Sequence, residues 1–372
     1  MSAFVSEHHR ELVAQGQQSF VFTFGHTEVP AIPDVYRTPG LPMGNSPFRM
    51  NLSLDRKASQ AARSLDVFHI HEPFVIANVA IGVARQIKRP LVFTNHTRHD
   101  TYVHNFPVVL QPLLNRHVAA TVARAIRVSA ITTSPSEDSV QWMRSLVPDV
   151  PERVRVMRNG IHLAPFEQVS NPHTRDEFGI PADAMILMYV GRVTPEKNLS
   201  VLAAGILQAI ALGVNIHWMI VGDGRTRAEL ERQIAPAHER VHFLGKHQRD
   251  QIAPYVAMTD VFVTASQSET NPLSVIEAMA CGKPYIALKA LWWDGFTKIP
   301  QVGSAGLLTE HDPQALANAI QQLADNPTLR AEMGAAARQL SHHFDIRNVT
   351  EQWIALYAEA IERMNMARTP TA

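Results

Sequence analysis

A single cysteine in 372 residues, Cys281, excludes an internal disulfide and fits a reducing, cytoplasmic compartment. Standing just before Gly282, it reads as a small buried filler rather than a nucleophile. No apolar run approaches the ~18 residues that a membrane span requires. Met1 opens on the polar, His-rich Ser6-Glu-His-His-Arg10, which carries no mark of a signal peptide. No basic cluster interleaves with aromatic residues, so nucleic-acid binding is not expected. The histidines give no clean four-ligand spacing, so no metal is expected; no cofactor is expected either. Internal repeats and low-complexity tracts are absent as well.

Net charge is zero, yet the halves differ. Residues 1–165 hold 17 Lys/Arg against 12 Asp/Glu, an excess of five positive charges, and residues 166–372 hold 17 against 22, an excess of five negative ones. A mildly basic first half suits anionic acceptors or an anionic membrane surface, although chance surface composition explains it equally well. Length suggests two domains, and 46% hydrophobic content is enough for two cores.

Strand and helix patterns alternate. In the first half, helices are expected over 2–15, 52–64, 74–86, 108–128 and 135–146. Strands are expected over 19–24, 67–71, Leu91–Thr94, 130–133 and 154–157. This alternation predicts a parallel sheet. The stretch from Pro165 to Pro172 reads as the linker. We therefore expect an acceptor-side domain over 1–165, a nucleotide-sugar domain over 166–345, and a tail over 346–372. That tail carries an apolar-faced helix with Trp353, Ile354, Leu356, Tyr357 and Ile361.

Three strand-to-helix turns in the second half carry chemistry. The buried strand Met185–Val190 runs into Gly191-Arg192-Val-Thr-Pro-Glu-Lys197-Asn198 and then a helix over 199–212. Arg192 offers a bidentate fork for phosphate and Lys197 a point charge. The strand Ile216–Val221 runs into Gly222-Asp-Gly224, whose glycines would let a ligand approach the backbone. The strand Val261–Thr264 runs into a polar loop holding Glu269. Then comes Thr270-Asn271-Pro272-Leu273, with Glu277 a turn and a half inside the following helix. In an open α/β sheet, ligands bind outside the carboxyl ends of the strands. The helix start adds amide donors and a positive dipole end. A cationic turn, a two-acid turn and a glycine turn together suit a nucleotide diphosphate sugar. Taken singly, Glu277 reads as well as an ordinary helix-face acid, and Arg192 with Lys197 as a solvated pair.

Pairing Gly-Arg-x-x-x-Glu-Lys-Asn with Glu-x-x-x-x-x-x-x-Glu-Ala-Met-Ala-x-Gly resembles the retaining glycosyltransferases of family 4. The resemblance runs over nearly the whole chain. It implies the GT-B architecture, an α/β fold of two Rossmann-like domains facing a cleft, with the tail helix crossing back to the first domain. It also implies transfer of a hexose from a nucleotide diphosphate sugar to an acceptor hydroxyl with retention of configuration. By that likeness, Arg192 and Lys197 hold the donor diphosphate, Glu269 contacts the sugar hydroxyls, Glu277 the ribose, and His96 lies near the sugar or its phosphates. Gly191, Gly222, Asn271 and Leu273 belong to the same donor-binding set. Front-face attack is implied, with Arg192 and Lys197 stabilising the leaving diphosphate.

The family's first strand and glycine loop would lie upstream of Met1, so the chain reads as N-terminally short, a domain without its first strand. Phe93-Thr-Asn-His-Thr-Arg-His-Asp-Thr-Tyr-Val-His-Asn-Phe-Pro107 resembles enzymes that glycosylate diacylglycerol. That points to a lipid acceptor, a UDP-linked donor and peripheral contact at the inner face of a membrane. The basic amphipathic 108–128 helix would serve such contact, or is an ordinary Rossmann helix. Pro272, which lacks an amide donor, and Leu291-Trp-Trp-Asp-Gly295 depart from the family pattern. Among the histidines, His69 and His71 are read as facing opposite sides of their strand, and His99 and His104 follow on the His96 loop. Two other readings remain open. One is a nucleotide-sugar-binding remnant without activity; the other is an epimerase of the GT-B type.

Overall fold

The computed structural model describes residues 3–24, 33–38, 41–42, 49–50, 54–97, 108–267, 269, 272–290 and 302–366. The chain forms two compact units, residues 1–160 with 346–372, and Ile161–Asp345. The junction at Gly160 precedes the expected linker by a few residues. Pro165 does not break the chain. It lies in the first turn of a short helix, Ala164–Glu167, where proline's missing amide costs nothing. Ile161, Leu163 and Phe166 are buried in the core of the second unit.

In the first unit, β1 (Val21–Phe24) pairs in parallel with β2 (Val35–Thr38), and β3 (Leu41–Pro42) pairs antiparallel with β4 (Arg49–Met50). The strand expected over 19–24 thus exists, but it forms its own small sheet rather than joining the main one. The main sheet is parallel: β5 (Phe68–Ile70), β6 (Leu91–Thr94), β7 (Ile131–Ser134) and β8 (Val154–Val156), in that spatial order. Every residue of β6 and β7 is buried, as expected of parallel strands covered on both faces.

The alternation of side chains explains the two layers. Leu91 and Phe93 face a core shared with Ile81 of the helix Val75–Gln86, Ile126 of Gln111–Val128 and Met143 of Glu137–Leu146. Val92 and Ile131 face the other way. There they meet Phe4 of the N-terminal helix Ala3–Ala14, together with Val349, Trp353 and Leu356 of the C-terminal helix Ile346–Met366. Trp353 is fully buried. Burying a side chain of that size contributes on the order of 3 kcal/mol.

The second unit holds one six-stranded parallel sheet. In sequence its strands are β9 (Met185–Val190), β10 (Ile216–Val221), β11 (Val241–Gly245), β12 (Val261–Thr264), β13 (Tyr285–Leu288) and β14 (Gly306–Thr309). Across the sheet they run β11-β10-β9-β12-β13-β14. Counted within the unit, that is the 3-2-1-4-5-6 order of a dinucleotide-binding fold. The order reverses between β9 and β12, and a ligand crevice forms at such a switch point. The helix Leu199–Ala211 buries Leu199, Leu202, Ala203, Ile206 and Ala209, a spacing of three and four that puts one face on the sheet. Gly205 on that helix is required by packing, because a Cβ there would stand 2.5 Å from Leu316 of the helix Pro313–Asp325.

Candidate functional site

The turns after β9 and β12 lie side by side at this reversal. The chain leaves β9 at Gly191, passes one turn of 3₁₀ helix at Pro195–Lys197, and enters the long helix through Asn198 in the left-handed region, φ 54°. Asparagine tolerates that conformation better than most residues. It sets Lys197 at the end of the turn, aimed at the β12 loop. Lys197 Nζ forms an ion pair with Glu269 and lies 3.4 Å from Ser266 Oγ. The Gln267 amide donates to the Glu196 carbonyl at 3.2 Å, which ties the two loops together through backbone as well.

Arg192 pairs with Glu196 at 3.1 Å, and its own side chain stays 63% exposed, free to swing toward a ligand. Burial opposes ionisation of Glu196, but hydrogen bonding in its own turn and the charges of Arg192 and Lys197 hold its carboxyl below the usual range. Beneath the turn, the buried Tyr189 hydroxyl donates to the Arg192 carbonyl at 2.9 Å. Burial, with the nearby charge of Glu269, pushes that phenol far up, so it stays a neutral donor.

The expectation of one cationic and one acidic site therefore changes form. Lys197 and Glu269, which come from separate turns, neutralise each other. Glu277 is also engaged. It is 5% exposed and accepts from Arg249 at 3.0 Å. Nothing in the sequence near Lys246-His-Gln-Arg249 marks that arginine as a partner. Glu196 was more legible, because it stands four residues after Arg192 within the same motif.

The glycine turn after β10 also differs from expectation. A Cβ on Gly222 would lie 1.8 Å from the Gly191 carbonyl, and one on Gly224 would lie 2.2 Å from that of Val193. Gly191 N–H donates to the Val221 carbonyl, and Gly222 N–H to that of Gly245. These glycines let two turns of the protein approach each other; the space a side chain would fill is taken by backbone rather than held open for a ligand. Leu273, half-buried, opens the helix Leu273–Ala280 and packs on the core beneath it. Asn271 and the Leu291-Trp-Trp-Asp-Gly295 stretch lie outside the described residues.

His96 belongs to the first unit and follows β6. His71 Nδ1 and His96 Nε2 stand 3.0 Å apart, and their rings stack with centroids 5.3 Å apart. His69 and His71 share one face, with centroids 3.9 Å apart. The opposite-face reading was wrong, because residues two apart on a strand point the same way.

A chain of polar contacts continues inward. Tyr357 hydroxyl meets His69 Nδ1 at 2.7 Å and His8 Nε2 at 2.9 Å. His69 Nε2 meets Thr94 Oγ1 at 2.6 Å, and Thr94 meets Thr133. Burial lowers His96 to about 4 and His8 to about 3, and holds His69 and His71 well below 6.5. All four are neutral at physiological pH. Of the two forms open to His96, it takes the neutral one. Among the described residues no group of histidines, cysteines and carboxylates is arranged to hold a metal ion. His99 and His104 lie outside the described residues.

Among the described residues no helix is long and apolar enough to cross a membrane. The 108–128 segment is divided. Its later part buries Val122 and Ile126 in the core, while Val109, Leu110 and Leu113 at its start are exposed.

Comparison with known proteins accords with this geometry. Residues 1–164 match the family described as Glycosyltransferase Family 4, and residues 184–326 that described as Glycosyl transferases group 1. An alpha-monoglucosyldiacylglycerol synthase of Streptococcus pneumoniae is 27% identical over 293 residues, covering 74% of this chain and 65% of the relative. A D-inositol 3-phosphate glycosyltransferase of Acidothermus cellulolyticus is 29% identical over 321 residues, covering 82% of this chain and 69% of the relative. Among solved structures, Anabaena HepE in complex with UDP-glucose superposes with a TM-score of 0.65 at 22% identity, covering 87% of this chain and 85% of that one. The motifs, the two parallel-sheet units and these matches agree. The chain carries glycosyltransferase domains of these two descriptions, one over each of the matched stretches, and is built on the GT-B fold.

Proposed function

We propose that this chain moves a hexose from a UDP-linked donor to an acceptor hydroxyl, with retention of configuration. The observation that carries the reading is the Lys197–Glu269 pair beside Arg192 at the sheet's switch point. In this reading the two cations take the donor diphosphate and the acid takes the sugar hydroxyls. Because Lys197 and Glu269 are already paired, donor binding is an exchange of partners. The incoming diphosphate takes Lys197, and the released Glu269 carboxylate accepts from sugar hydroxyls. Arg192 swings from Glu196 to the same diphosphate.

The two cations then neutralise charge that grows on the leaving diphosphate, the part of the reaction where fixed electrostatics act most strongly. The leaving diphosphate takes the acceptor's proton, so no protein base is needed at that step. Glu277, held by Arg249, lies one helix turn deeper and serves the ribose.

The UDP-glucose complex of Anabaena HepE supports the choice of base. The diacylglycerol-linked activity named for the Streptococcus relative supports a lipid acceptor. The exposed Val109, Leu110 and Leu113 suit contact with a membrane's cytoplasmic face. The test is product analysis with UDP-glucose and diacylglycerol in mixed micelles. An α-linked glucolipid is expected. A β-linked product would remove retention, and a free epimerised nucleotide sugar would replace transfer with epimerisation.

A further inference from the structure

The turn that carries Arg192 is held along its backbone while the arginine side chain stays exposed. Gly191 N–H donates to the Val221 carbonyl at 2.9 Å, and Val193 N–H to that of Asp223 at 3.0 Å. The Val193 carbonyl accepts from the Thr226 amide at 3.2 Å and from its hydroxyl at 2.9 Å. These ties all run to the end of β10 and the turn that follows it. The Arg192 carbonyl is held differently. It accepts from beneath, from the Tyr189 hydroxyl at 2.9 Å.

Packing does not require that hydroxyl. Met185, Leu187 and Tyr189 alternate along β9 on one face, in the apolar cluster that also holds Val193 and Leu199. A phenylalanine at 189 would supply the same ring. What tyrosine adds is one donor, and it lands on the carbonyl of the residue that bears the arginine. The approach is narrow, since a Cβ on Gly191 would stand 2.6 Å from the hydroxyl oxygen. Glycine at 191 and tyrosine at 189 therefore work as a pair. Burial, and after it the charge of Glu269, keeps the phenol protonated, so it donates throughout the physiological pH range.

We propose that Tyr189 is a positioning residue for the donor diphosphate: its hydroxyl holds the Arg192 peptide, so that Arg192 leaves Glu196 for the diphosphate by turning side-chain bonds alone. The proposal rests on the donor reading above. Without the hydroxyl, the Arg192 carbonyl stands over a buried ring and loses its donor. A peptide left in that state turns toward another partner, and the direction of the arginine side chain turns with it. Donor binding must then restore the turn as well as move the guanidinium, which is a loss of preorganisation.

The test is calorimetric titration of UDP into the full chain in four forms: wild type, Tyr189→Phe, Arg192→Ala and the double variant. Arg192→Ala should weaken UDP by about tenfold or more, the effect of losing a charged hydrogen-bond partner. Tyr189→Phe should weaken it by roughly fivefold, the scale of one neutral hydrogen bond. The two losses should not multiply, so the double variant should bind UDP no more weakly than Arg192→Ala does. Uridine, which has no phosphate, should bind the wild type and Tyr189→Phe alike. Three outcomes would overturn the proposal. One is unchanged UDP affinity in Tyr189→Phe. Another is a loss from Tyr189→Phe that persists in full on top of Arg192→Ala, because the hydroxyl would then act on something other than the arginine. The third is uridine weakened as much as UDP, which would mark a general disturbance of the site. A wild type that binds no UDP would remove the donor reading itself, and this inference with it.

Discussion

Two polar clusters in this protein were both legible as chemistry, and the structure treats them in opposite ways. At the switch point of the second unit, Arg192, Lys197, Glu196 and Glu269 are charged, partly exposed and paired on short loops. In the first unit, His8, His69, His71, Thr94 and Tyr357 are neutral and linked by hydrogen bonds between a sheet and two helices. Charged groups near water exchange partners at modest cost, because solvent screens each intermediate arrangement. Buried neutral groups cannot, since each lost partner leaves a desolvated polar atom. The first cluster suits a ligand that comes and goes. The second suits holding the N- and C-terminal helices on the sheet. His96 stands at the edge of that second cluster, which is why its residue type alone misstates its freedom.

The comparison is broken most severely at Trp353, fully buried between the C-terminal helix and the sheet. Trp353→Ala should cost about 3–5 kcal/mol, read as a lower midpoint in urea denaturation. A loss under 1 kcal/mol would mean that the C-terminal helix contributes little. Next is the donor turn. Lys197→Ala and Arg192→Ala should each lower kcat by on the order of 10²-fold while leaving the melting temperature in place. Near-normal turnover in both would remove the phosphate assignment.

Acid separates the two clusters by another route. The folded state depresses the histidine pKa values, so it binds fewer protons than the unfolded chain below pH 6.5. Stability is therefore complete above pH 6.5 and falls as pH drops toward about 4, by about 1.4 kcal/mol per pH unit for each such histidine. Thermal melts across that window should show it, and a flat profile would contradict burial of the neutral rings. Smallest is Tyr357→Phe, which removes the hydroxyl between His8 and His69. It should cost about 1–2 kcal/mol and leave turnover intact.

Much of this fold could be read in advance because parallel strands buried on both faces are continuous apolar runs. Leu91–Thr94, Met185–Val190, Ile216–Val221 and Val261–Thr264 stand where expected. Helix starts were less legible: the segment expected from residue 108 begins as a 3₁₀ turn, Val108–Leu110, before the helix Gln111–Val128. In the sequence Pro165 reads as a break, although proline is equally at home in a first helical turn. At the site, residue types and turns were legible but partners were not. Lys197 and Glu269 lie 72 positions apart, and only the strand order brings their loops together. The same holds for Arg249 with Glu277. At Gly222 the glycine alone shows that something approaches closely, and only the structure shows that the Gly191 carbonyl fills the space of a side chain.

The exchange of partners at Lys197 is the central claim, and calorimetric titration with UDP, with GDP as the comparison, tests it most directly. The wild type should bind UDP saturably and in preference to GDP. Lys197→Ala should lose that binding. Glu269→Gln, which removes the competing carboxylate, should bind UDP more tightly than the wild type while transferring sugar more slowly. Unchanged UDP affinity in both variants would contradict the account.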